Sequence, residues 1–174
     1  MPKTAVPFML VAALTILAGV RPAMAQDDQE SGCFELANRT YKLLNAALAS
    51  ERLAHFKKPD HRYSQENVHK FGAEDFAGDP KVSFAEAQAE LDAALELLEQ
   101  AKGKQCLNRE LLSAAQDNLS DAKKIDAFLQ ERVAELGGPP VDMTAETYTA
   151  FLAKAVDLKK EALLRLIESN FGRQ

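Results

Sequence analysis

All three histidines of the chain, His55, His61 and His69, fall in or beside one stretch, Lys57 to Val82. Asp60, Glu66, Glu74, Asp75 and Asp79 share that stretch, and Met143 lies in a later turn expected beside it. Imidazole and carboxylate donors suit copper, zinc or nickel, so His55, His61 and His69 are the candidate metal ligands. Their spacing matches no established metal motif, and a solvated polar loop is the plainer account. Glu66 and His69 form a Glu-x-x-His, but di-iron bundles carry such motifs in pairs on core-facing helices. The chain lacks the Cys-x-x-Cys-His of covalently attached haem, and pairing His55 or His69 with Met143 around free haem has no support from spacing.

Other chemistry finds less. Ser64 and Ser83 read as helix starters, and neither stands in a Gly-x-Ser-x-Gly turn. There is no glycine loop for phosphate and no dinucleotide fingerprint. The remaining candidates are the aromatics Tyr63, Phe71 and Phe76, with Met143. They either close a core from above or line a surface for a partner protein or small apolar ligand.

The elements that must position these residues are helices. A first helix is expected from about Ser31 to Phe56, with Phe34, Ala37, Tyr41, Leu44 and Leu48 as its stripe and Leu36, Leu43, Ala47 and Leu53 widening it. Pro59 stops it. Ser83 to Glu86 reads as a capping box for a second helix, stapled by Val82 and ended by a left-handed Gly103. Its seam is Phe84, Ala87, Leu91, Ala94, Leu98 and Ala101, large residues alternating with alanine so that a neighbour can approach closely.

A third helix is expected from about Asn108 to Leu136, seamed by Leu112, Ala115, Leu119, Ala122, Leu129, Val133 and Leu136. Asp126 falls on that seam; drift of the stripe hands its place to Ile125. Gly137 to Pro140 is a stop. Thr144 caps a fourth helix, with Met143 and Tyr148 as its staple and Phe151, Ala155, Leu158, Ala162 and Leu166 facing inward. Gly172 closes it.

The first 25 residues have the form of a secretory signal: basic Lys3, an apolar run from Phe8 to Val20, and small residues before a cut after Ala25. Residues 26–174 then form one domain, directed to the periplasm or secreted. Two cysteines in an oxidising compartment predict a single disulfide, Cys33 to Cys106. Formal charge is −5, and removing Lys3 and Arg21 makes the chain more acidic still. Nucleic acid is a poor partner for such a surface, and no other stretch suits membrane insertion.

The expected fold is all-α, an antiparallel up-down-up-down four-helix bundle with one long connection between helices 1 and 2. That order brings Cys33 to the turn holding Cys106, as a bridge requires. The expected role is a non-catalytic binding or accessory one at the loop-bearing end. Transition-metal binding by the loop histidines is the alternative, and an enzyme of unknown type comes third. Alanine-rich seams suit a homodimer as well as a monomer.

Overall fold

The structure is a computed structural model that describes residues 23–58, 65–104, 106, 108–134 and 143–171. Within them the chain is all-helical, with four long helices whose mutual contacts fit a bundle. They are α1 (Ala23–Arg52), α2 (Pro80–Gly103), α3 (Arg109–Ala134) and α4 (Ala145–Phe171). Each helix packs on the next, and α4 also meets α1. None of the described helices is long and apolar enough to cross a membrane. The expected leader through Pro22, the Gly137–Pro140 stop and Gly172 lie outside the described residues.

The helix starts follow side-chain capping. Asn108 Oδ1 accepts from the amides of Glu110 and Leu111 at the head of α3, and Thr144 Oγ1 accepts from Thr147 N at the head of α4. α2 begins a turn earlier than the Ser83 box implies. Asp79 is its cap, accepting from the amides of Lys81 and Val82, and Pro80 fills a first-turn position where no amide is needed. Ser83 therefore sits inside the helix, its hydroxyl donating to the Asp79 carbonyl, and Val82 points outward rather than stapling. Gly103 is the last helical residue, followed by Lys104 in the right-handed region, so no left-handed closure occurs there.

The α2 seam is buried as expected, from Phe84 to Ala101. So is the α3 seam from Leu112 to Val133, but Asp126 belongs to it and is fully buried, while Ile125 is only half-buried. The same displacement appears on the other helices. The inner face of α1 is Cys33, Leu36, Ala37, Thr40, Leu44, Ala47 and Glu51, leaving Phe34 and Tyr41 exposed. The inner face of α4 carries Leu152 and Lys159 where Phe151 and Leu158 were expected. A stripe traced through apolar residues alone steps aside wherever a polar side chain occupies the true seam. Thr40 settles its own burial by donating to the Leu36 carbonyl at 2.8 Å.

Among the described residues the core forms two apolar clusters. One gathers Cys33, Leu44 and Ala47 of α1, Leu91 to Ala101 of α2, Leu112 to Leu119 of α3, and Ala162 and Leu166 of α4. Cys33 and Cys106 are joined there by a disulfide with Cα atoms 5.1 Å apart. The other gathers Ala54, Val68, Phe71, Phe76, Phe84, Leu129, Val133, Met143, Tyr148 and Leu152. On three helices one charged residue stands between the clusters. Glu51 follows Ala47 and precedes Ala54, Asp126 precedes Leu129, and Lys159 precedes Ala162.

Candidate functional site

Between α1 and α2 the described chain folds back on itself through backbone pairing. Lys57 N donates to Asp75 O, Ala77 N to His55 O and Gly78 N to Leu53 O, all within 2.9 Å. A second set ties the segment to the head of α4: Val68 N donates to Met143 O at 3.0 Å and Ala145 N to Glu66 O at 2.8 Å. Two single 3-10 turns, Val68–Lys70 and Ala73–Asp75, give the segment local order. Gly72 heads the second, its amide donating to Asp75 Oδ2 at 3.0 Å.

The apolar side chains of this segment turn inward. Phe56 stacks on Phe76 with centroids 4.5 Å apart and meets Phe71 edge-on at 5.1 Å. Tyr148 joins Phe56, Phe76 and Phe84 at 5.6 to 6.4 Å, near the separations aromatic pairs favour. Its hydroxyl donates to the Ala54 carbonyl at 2.7 Å. Phe76 is thus fully buried, while Phe71 and Met143 are buried but keep a sliver of exposure, Phe71 on the wall of a cleft. Tyr63 lies outside the described residues.

His55 and His69 are both half-buried, and His61 lies outside the described residues. Burial holds the His55 imidazolium below its ordinary range, favouring the neutral ring. Among the described residues no group of three His, Cys, Asp or Glu side chains is placed to hold a metal ion.

His69 opens onto a cleft of about 410 Å³ lined by Lys70, Phe71, Gly72, Asp79, Lys81 and Val133 among others. Asp79 spends Oδ1 on the head of α2, whereas Lys70 and Lys81 are exposed side chains at the rim. Lys70 also pairs with Glu66 at 2.8 Å. The cleft thus carries two lysines, one of them paired with Glu66, beside the Asp79 carboxylate. No family model, curated protein or solved structure matches this chain.

Beneath the aromatic cap lies the group that the sequence pattern concealed. Lys159 Nζ meets Asp126 Oδ2 at 2.6 Å and also donates to Glu51 Oε1, and all three side chains are wholly buried. Glu51 Oε2 and Asp126 Oδ1 have no further hydrogen-bond partner among the described residues. Burial first, and the adjacent Asp126 carboxylate second, push the Glu51 carboxyl up to about 8. Burial, with Glu51 and Asp126 nearby, likewise raises the Tyr148 phenol. Asp126 on a seam was the signal available in the sequence; reading Glu51 and Lys159 the same way would have joined the three.

Proposed function

We propose that the protein is exported, through a signal ending at Ala25, to a periplasmic or extracellular setting. There it acts as a non-catalytic binding or accessory protein through its loop-bearing end. An up-down-up-down order places that end opposite the disulfide. The order is supported by the clusters, since residues early in α1 and α3 share one with residues late in α2 and α4. The disulfide is compatible with an oxidising compartment.

The observation that carries the reading is the cleft beside His69, with Lys70 and Lys81 at its rim. The Lys81 ammonium, with the Lys70 ammonium that Glu66 shares, over a partly apolar floor fits an acidic group offered by a partner protein or a small ligand. Affinity should fall with salt, because exposed charges are screened within about 8–10 Å at ordinary ionic strength.

The test is fluorescence anisotropy with short Asp/Glu-rich peptides on the protein from Gln26 onward. Saturable, salt-sensitive binding lost in Lys70→Glu/Lys81→Glu, with melting unchanged, is the expected result. Equal binding by that variant, or none by the parent, removes the proposal. Metal analysis of the same untagged protein decides the competing role. Stoichiometric copper, zinc or nickel that disappears in His55→Ala/His61→Ala/His69→Ala would assign this end to metal instead.

A further inference from the structure

We propose that Glu51, Asp126 and Lys159 form a proton-gated latch, which holds the loop-bearing end shut while the two carboxyls share one proton and loosens it when that proton leaves. Two acids and one ammonium in a space without exposure carry a net negative charge unless one acid keeps its proton. An uncompensated buried charge is costly, and the two unpartnered oxygens, Glu51 Oε2 and Asp126 Oδ1, show that no other described group neutralises it.

Among the described residues the surroundings offer no further cation. α1 contributes Glu51, α3 Asp126, and α4 Lys159 and the Tyr148 hydroxyl, which is committed to Ala54. The inner face of α2 near its head is Phe84, Ala87 and Leu91. Glu51 also lies in the last turn of α1, which ends at Arg52, so the helix dipole opposes a negative charge there. His55, four residues further on, is half-buried and neutral-favouring.

The position makes titration felt at the cap. Ala54, the acceptor for Tyr148, is three residues from Glu51; Leu53 and His55 supply carbonyls to Gly78 and Ala77. A charge forced on Glu51 is relieved by moving the end of α1 toward water, and that motion breaks the bonds that pin the segment.

The direction follows from linkage. The Glu51 carboxyl is raised in the closed state, to about 8 against an ordinary 4.5, so its contribution is complete below about 4.5 and is lost as pH rises to about 8. The latch is tightest in acid. His55, whose protonation is disfavoured when closed, works in the opposite sense as pH falls. The latch does not depend on what the cleft binds.

The experiment is hydrogen exchange at the Ala77, Gly78 and Val68 amides, corrected for intrinsic rates, from about pH 5 to 9 in a His55→Gln background. Protection should fall by up to roughly tenfold per pH unit toward about 8 and then level off, as loss of a single proton dictates. Glu51→Gln, which cannot ionise, should be flat. Should it fold poorly, Glu51→Leu/Asp126→Leu/Lys159→Met provides the same comparison without buried charge. A flat parent profile, or the same slope in these variants, overturns the proposal. So does a parent mass short by one water, which would mean that Lys159 has condensed with a carboxyl and the shared proton is gone.

Discussion

The Tyr148 hydroxyl donates to the Ala54 carbonyl across the core, joining the second turn of α4 to the residues just past α1. It is the hydrogen bond that lets an otherwise apolar ring cluster accept a phenol at full burial. Tyr148→Phe keeps the ring and strands the carbonyl. The expected cost is about 1–3 kcal/mol, read as a melting-temperature fall of about 2–4 °C per kcal/mol with helicity retained. An unchanged melt would mean that another donor reaches Ala54.

Lys159 is the cation between two buried carboxyl groups. Lys159→Met leaves both acids without it and should destabilise by about 3–5 kcal/mol. Replacing all three charged residues by apolar ones of similar size should be neutral or stabilising by about 1–4 kcal/mol. Urea titration of the single and triple variants separates these outcomes. A single variant as stable as the parent would show that the trio matters little to folding.

Gly78 and Gly72 offer a paired test of how tightly the segment is seated. A Cβ on Gly78 would stand 2.8 Å from Leu53 Cβ, against a side-chain root that cannot swing away. The three atoms nearest a Cβ on Gly72 would all belong to the carboxyl end of Glu74, which can. Gly78→Ala should therefore cost about 1–3 kcal/mol while Gly72→Ala melts close to the parent. Equal melts for the two would show that the loop backbone yields readily.

The Cys33–Cys106 bridge spans 73 residues of sequence. Loop-closure entropy gives it about 4 kcal/mol, so reduction, or the Cys33→Ser/Cys106→Ser variant, should lower the urea midpoint strongly. Mass measurement after thiol alkylation with and without reductant confirms that the bond is present in the purified protein.

Much of the bundle could be read before the structure. The α2 seam needed no correction because every position from Phe84 to Ala101 is apolar, and the helical period shows without interruption. Asn108 and Thr144 stood at the heads of α3 and α4 because their side chains have a local task that distant packing does not alter. The inner faces of α1 and α4 were harder. Glu51 and Lys159 are long charged side chains, ordinarily solvated, and only a partner remote in sequence makes burying them tolerable. Periodicity is local, whereas ion pairing across helices is not. The loop aromatics were visible as a group, but whether rings close a core or face a partner depends on backbone pairing such as Ala77 to His55.

The charged trio has one more consequence, for alignment along the bundle axis. Seams that repeat leucine and alanine offer nearly equivalent packing after a slide of one helical turn, about 5.4 Å. Apolar contacts alone would leave several such settings close in energy. Sliding α4 by that distance would carry Lys159 away and leave Glu51 and Asp126 buried without a counter-charge, and sliding α1 or α3 would take Glu51 or Asp126 away from the one cation it meets. Three residues therefore act as a registration mark, selecting one axial setting from a set that a repetitive sequence would otherwise permit.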